Sequence, residues 1–133
     1  MTIEHLKDCF ASALKDELKQ QKHKGLLLTK SNPEEAKMYI TKAKMNLDLC
    51  RFYVENGVDY KLPEEWFYTL YYCALAILSK FGVESRSQRC TAFFLHYVKE
   101  KCLVDYDDEF ITRIMVYKNK DSMSDVDERE KSR

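Results

Sequence analysis

One stretch of this sequence is apolar around nearly its whole circumference when it is read as a helix, and it constrains the fold more than any other feature. Pro63 provides a helix start and Gly82 a helix end, and Trp66 to Phe81 lies between them. A helix of this kind must be contacted on most sides. The sequence therefore predicts a helical bundle with this third helix at its centre. It leaves open whether a second subunit covers one flank.

Turn-forming residues are scarce, since only three Gly and two Pro occur among 133 residues. That scarcity favours a few long helices over many short strands, and we find no strand-like alternation of apolar and polar residues. Apolar periodicity predicts four further helices. These are Ile3 to near Gly25, Pro33 to Asn56 with Asn32 as the N-cap, a fourth helix capped by Ser85 or Ser87 and running to about Cys102, and a fifth from about Asp107 to about Lys118.

The predicted fold is all-α: a bundle of four or five helices that forms a single domain over residues 1–118. On the second helix the expected inward stripe is Ala36, Ile40, Ala43, Leu47, Cys50 and Val54. Residues 119–133 form a polar tail that cannot bury enough surface to order itself and is expected to be disordered or to dock on a partner.

The charge and cysteine pattern excludes several classes of function. The formal net charge is zero, so nucleic-acid binding would need a local basic patch. The five cysteines are odd in number and widely spaced, and we expect them to be reduced core thiols. No metal, cofactor or phosphate-binding motif is present. The N-terminus lacks the apolar core of a signal peptide, and no segment is long enough to span a membrane, so we expect a cytoplasmic protein.

Arg89 and His96 are the first candidate functional pair. They lie seven residues apart on the fourth helix and therefore on nearly the same side, about 10 Å apart along the axis. Ala92 and Lys99 share that stripe. Histidine can transfer a proton near neutral pH, and arginine can stabilise charge that develops on phosphorus. The alternative is an ordinary solvated helix face.

Three other features have both a functional and a structural interpretation. The basic run from Lys15 to Lys30 could contact phosphates, but we favour the solvated end of a helix. Tyr68, Tyr71 and Tyr72 could stack on bases, but on so apolar a helix we favour core or subunit interface. The remaining histidines, His5 and His23, have no ligand-type neighbours and are expected at the surface.

The middle of the chain resembles the HEPN family (higher eukaryotes and prokaryotes nucleotide-binding). The likeness rests on Ala43 to Cys50, on the aromatic helix from Glu65 to Leu78, and on the glycine loop from Lys80 to Ser85. An Arg-x(6)-His motif at Arg89 and His96 follows in the next helix. Together these features cover about residues 36–118.

The resemblance implies an up-and-down, HEPN-like helical bundle that forms a homodimer. It also implies that the dimer cuts RNA without metal, as toxins of toxin–antitoxin pairs do. In that case His96 would move a proton at the ribose 2′-hydroxyl or the leaving oxygen, and Arg89 would stabilise the phosphorane. Lys99, Arg86 and Gln88 would bind the substrate.

The alternative implied by the resemblance is a non-catalytic helical module that binds a nucleotidyltransferase or a nucleotide. It is motivated by Gln88, which stands where many family members carry histidine.

Overall fold

The structure is a computed structural model that describes residues 3–117. Within that range the prediction of five helices is confirmed, whereas the prediction that no strand exists is wrong. The tail expected at 119–133 lies outside the described residues. In chain order the elements are α1 Ile3–Leu18, β1 Leu26–Leu28, α2 Pro33–Glu55, α3 Leu62–Phe81, β2 Val83–Ser85, α4 Gln88–Glu100 and α5 Asp108–Val116.

The helices α2 and α3 form an antiparallel pair at the centre of the fold. Near one end, Ser79 Oγ donates a hydrogen bond of 2.7 Å to Glu35 Oε1. Towards the other end, Asn46 Nδ2 donates to Glu65 Oε2 at 2.9 Å, and both of these side chains are buried. Because a buried polar group is costly unless it is hydrogen-bonded, these two contacts fix the register of the pair.

The aromatic residues of α3 are the core. Tyr68, Tyr71 and Tyr72 are at most 1% exposed, so the interpretation of these residues as core is confirmed and a stacking platform for bases is excluded. The Tyr71 hydroxyl lies 3.2 Å from Thr91 Oγ1, which in turn lies 2.6 Å from Ser85 Oγ. This chain of hydroxyls connects α3, α4 and β2 through the interior.

A small antiparallel sheet replaces the end of the first predicted helix. Helix α1 stops at Leu18, and Gln20 then adopts a positive φ of 56°. The segment that follows forms β1, whose Leu26 pairs with Ser85 of β2 and is fully buried. The expected helix end near Gly25 is therefore wrong. Strands of three residues are too short to produce a detectable alternation of apolar and polar positions.

Gly82 joins α3 to the sheet. It ends α3 in the left-handed conformation, with φ at 74°. A Cβ atom at this position would come within 2.6 Å of the carbonyl oxygen of Thr29, so the close approach of the two chain segments also requires glycine.

A disulfide bond joins Cys9 of α1 to Cys90 of α4, so the prediction that all five cysteines are reduced is wrong. These two residues are 81 positions apart in sequence, and only the packing of α1 on α4 brings them together. The free cysteines are Cys50, Cys73 and Cys102, and the last of these is exposed rather than in the core.

The last two helices are held by caps and by one tyrosine. Ser87 rather than Ser85 caps α4, and Asp107 caps α5. Tyr106, in the connection between them, donates a hydrogen bond to the Leu95 carbonyl oxygen, and burial raises the pKa of this tyrosine to about 12. No helix within residues 3–117 has the combination of length and hydropathy that crossing a bilayer requires.

Candidate functional site

The predicted Arg89 and His96 pair lies on α4, and both side chains reach solvent. Arg89 is exposed, and the side chain of His96 is 33% exposed. Ala92, which was expected on the same outer stripe, is fully buried. The stripe is therefore not a continuous open face.

Within one chain Arg89 and His96 make separate contacts. The Arg89 guanidinium lies over the Phe93 ring, 5.3 Å from its centre, and the His5 ring stacks on the same phenylalanine at 5.1 Å. The nearest charged partner of His96 is different: its Nε2 lies 3.6 Å from a Glu100 carboxylate oxygen. A carboxylate at this position repels a phosphate.

Two of the predicted substrate-binding residues are held by acidic neighbours. Lys99 Nζ donates to Asp108 Oδ1 at 2.8 Å, and this ammonium holds the pKa of the Asp108 carboxyl below its ordinary value. Arg86 Nε lies 3.2 Å from a Glu84 oxygen. Both cations are therefore paired with a carboxylate of the same chain.

His23 is buried, so its prediction as a surface residue is wrong. It is 3% exposed, and its Nε2 lies 2.7 Å from the Glu84 oxygen that also contacts Arg86. The basic run is accordingly not one continuous surface. Its histidine turns inward, and the backbone N–H of Lys24 donates to the carboxylate of Asp16.

Gln88 has a structural role that its position in the sequence did not reveal. Its side-chain amide donates to the carbonyl oxygen of Ile114 at 2.8 Å and to that of Tyr117 at 2.6 Å. Both carbonyls belong to the C-terminal end of α5, where helical carbonyls lack partners within the helix. Gln88 therefore attaches the end of α5 to the start of α4.

An apolar groove lies elsewhere, between α2 and α3. We define the α2–α3 groove by Ile40, Leu47 and Val54 of α2 together with Trp66, Cys73 and Ile77 of α3. It contains two cavities of about 620 Å³ and 530 Å³. The first of these lies at the start of α2 and the second at its end.

Apolar side chains line the α2–α3 groove without being covered. Ile40 is 39% exposed, Val54 61% and Trp66 40%. These positions of α2 were expected to point inward, and that expectation is wrong for Ile40 and Val54, since only Ala36, Ala43 and Cys50 of the stripe are buried. Burial raises the pKa of the Cys73 thiol in the groove wall, so this cysteine stays protonated near neutral pH.

Charge is distributed unequally along the α2–α3 groove. Lys37, Lys44 and Lys80 line the end that holds the larger cavity. The opposite end is lined by Arg51 and Glu55, whose charges balance. The groove is thus basic at one end and neutral at the other.

A second, more polar depression lies between α1 and the start of α4. We call it the α1–α4 cleft. It has a volume of about 230 Å³, and the disulfide residues Cys9 and Cys90 form part of its wall. The polar and charged side chains around it are His5, Asp8, Ser12, Lys24 and Arg89.

No protein-family model, curated protein sequence or solved structure matches this chain. Within residues 3–117, no group of three or more His, Cys, Asp or Glu side chains could hold a metal ion.

The contribution of Gln88 can be tested by replacing it with methionine, which has a similar shape but no amide. Loss of two hydrogen bonds that leaves two carbonyls poorly partnered should lower the free energy of unfolding by about 2 kcal/mol. Urea denaturation followed by circular dichroism measures this change. Arg89→Met, an exposed neighbour on the same turn, is the control and should lie within about 0.5 kcal/mol of wild type. Wild-type stability in Gln88→Met would contradict the structural role.

Proposed function

We propose that this chain is a HEPN-like helical binding module that acts as a homodimer, with the α2–α3 groove as its self-association surface. The observation that carries this proposal is the uncovered apolar lining of the groove, in particular the half-exposed Trp66. Large aromatic side chains of this kind are typical anchors of protein interfaces. An exposed apolar area spread over two helices marks an interaction site in a soluble protein.

The spacing of the groove residues supports helix-to-helix packing as the mode of association. Ile40, Leu47 and Val54 follow one another at seven-residue intervals on α2. On α3 the groove residues are Trp66, Cys73 and Ile77, at steps of seven and four. Both patterns are those of helices that pack side by side with knobs-into-holes contacts.

A second copy of this chain is the occupant that the groove fits best. A two-fold axis brings the same surface of each copy together, so each helix pair meets an equally apolar helix pair. An antiparallel arrangement also places the lysine-rich end of one copy against the neutral end of the other and keeps the two lysine-rich ends apart. The groove follows about 30 Å of two adjacent helices, which suits an interface of about 800 Å² per partner.

The contacts that the predicted catalytic and substrate-binding residues make within the chain support a binding role rather than a catalytic one. Arg86, Gln88 and Lys99 have intramolecular partners, and Glu100 lies beside His96. The resemblance to HEPN proteins supplies the class of partner, a small nucleotidyltransferase. Co-purification of this chain with such a protein encoded next to it would support that assignment.

The homodimer can be tested by placing charges in the α2–α3 groove. Ile40→Glu and Val54→Glu are suitable because both residues are exposed in the single chain, so the fold should tolerate the change. Each substitution occurs twice in a symmetric interface, and burying unpaired carboxylates is costly. We expect the double variant to weaken dimerisation by about 100-fold or more, as measured by analytical ultracentrifugation against the chain mass of 15.8 kDa.

Met45→Glu is the matched control for this experiment. Met45 is 57% exposed and belongs to the same helix, but it points about 140° away from Ile40 around the helix axis. The control should dimerise like wild type. A wild-type chain that stays monomeric at all concentrations, or a control that dissociates as readily as the double variant, would contradict the proposal.

A metal-independent ribonuclease is the second candidate function. The observation that favours it is that Arg89 and His96 both reach solvent on α4, where a second subunit or an RNA could approach them. His96 would transfer a proton, and Arg89 would stabilise charge on phosphorus. If the chain is a ribonuclease, Glu100 would hold the His96 imidazole in position.

RNA incubated with the purified chain in EDTA separates the two functions. If the chain is a nuclease, wild type cleaves the RNA and His96→Ala loses about 10² to 10⁴ in rate, as expected for loss of a general acid–base. His5→Ala, another surface histidine, controls for nonspecific effects and should retain the activity. The binding module predicts that RNA stays intact with all three proteins, and equal integrity with wild type and His96→Ala rules out cleavage through His96.

A further inference from the structure

The only disulfide within residues 3–117 joins two buried cysteines at the edge of the core, and both of them also line the α1–α4 cleft. Cys9 and Cys90 are 6% and 9% exposed, and both line the α1–α4 cleft. The α1–α4 cleft is therefore the place where a small thiolate would approach the two sulfur atoms. Most structural disulfides are protected from exchange by burial, and accessible ones are the more readily reduced.

The charges around the cleft favour thiol–disulfide exchange. Lys24 and Arg89 are cationic, His5 adds a third basic group, and Asp8 is the one acidic side chain in the lining. The attacking group is a thiolate and the departing sulfur leaves as a thiolate. Nearby cations stabilise both anions, which is the environment in which reactive cysteines are found.

The remaining cysteines in the interior differ from this pair. Burial raises the pKa of the Cys73 thiol and, opposed by a hydrogen bond from Thr69, that of Cys50. Both are therefore held as unreactive thiols near neutral pH. Of these four cysteines, we therefore expect thiol–disulfide exchange at Cys9 and Cys90.

Besides the disulfide, helix α1 is held by a few buried side chains and by Phe10, which packs partly buried against the core. Its buried residues are Leu6, Cys9 and Ala13, whereas Leu14 and Leu18 are 57% and 85% exposed. Three buried side chains along 16 residues provide little apolar contact for a helix of this length. The covalent bond to α4 therefore contributes a large share of what holds α1 in place.

We propose that the Cys9–Cys90 disulfide is a reversible redox site, reduced through the α1–α4 cleft by a small thiol or dithiol, and that its reduction releases α1. A thiolate of the reductant attacks one sulfur atom, the bond between Cys9 and Cys90 breaks, and the other cysteine departs as a thiolate. A second reductant thiol, once deprotonated, then attacks the mixed disulfide. The reductant is oxidised to its disulfide, and Cys9 and Cys90 are left as two thiols after proton uptake.

Release of α1 would uncover a specific part of the bundle. The backbone around Gly25 lies directly under α1, since a Cβ atom there would come within 2.3 Å of the carbonyl oxygen of Cys9. Phe93, on which His5 stacks, lies on the other side of the cleft. Reduction would therefore expose Phe93 and the buried Leu26 while leaving the α2–α3 pair intact.

Amide hydrogen exchange of the full chain, with and without dithiothreitol, tests the proposal. Thiol titration of the unfolded chain should count three free thiols before reduction and five after it. Reduction should raise exchange in residues 3–18 by about tenfold or more and leave residues 62–81 protected. Cys102→Ser, which removes an exposed free cysteine, should respond like wild type. Cys9→Ser should exchange rapidly in residues 3–18 even without reductant.

The rate of reduction tests the role of the cleft itself. Arg89→Gln should slow reduction by dithiothreitol by about threefold, because the departing thiolate loses a nearby cation. Arg113→Gln, an exposed arginine on α5, should not change the rate. If Cys9→Ser fails to fold, reduced wild type still decides the question. Five free thiols before reduction, unchanged protection of residues 3–18 after it, or loss of protection throughout the chain would each overturn the proposal.

Discussion

The burial of the aromatic face of α3 is the constraint on which the rest of this structure depends. Tyr68, Tyr71 and Tyr72 are all but inaccessible, and no other helix contributes so many buried residues. Burying side chains of this size stabilises the fold only if neighbouring helices close around them. Helix α2 covers one side, and α4 covers another through the hydroxyl contact between Tyr71 and Thr91. The glycine at position 82 then lets the chain turn sharply from α3 into the sheet.

The same constraint explains why an apolar groove remains. A helix that is apolar on nearly every side needs neighbours on every side, and within residues 3–117 one flank of α3 is only partly covered. Helices α1 and α5 are engaged with the sheet and with α4, so the flank of α3 that carries Trp66 and Ile77 is left half-exposed. The groove beside α2 is therefore a direct consequence of the packing, and a second helix pair is the simplest way to cover it.

Much of the fold could be predicted because its signals are local. Pro33 with its Asn32 cap, Pro63 and Gly82 mark helix ends within a few residues, and the structure has the ends of α2 and α3 close to where they were expected. The disulfide, the burial of His23 and the two short strands depend instead on residues that are distant in sequence. No periodicity encodes such contacts, and the spacing of 81 residues between Cys9 and Cys90 gave no indication of pairing.

The candidate site shows the same division between local and distant contacts. That Arg89 and His96 share a helix follows from their spacing, but their partners do not. Phe93 under Arg89 is within the same turn and was accessible to helical reasoning. The carbonyls that Gln88 binds lie on α5, and only the folded chain reveals them. A residue that is assigned to substrate binding from its sequence position alone can thus turn out to connect two helices of the same chain.

Fluorescence of the sole tryptophan tests the central claim most directly, because Trp66 lies in the α2–α3 groove. If a second copy covers the groove, dilution should shift the Trp66 emission to longer wavelength and increase its quenching by acrylamide. The midpoint of that change should match the dissociation constant of the dimer. Emission and quenching that stay the same at every concentration, in a chain that sediments as a dimer, would show that the two copies associate through another surface.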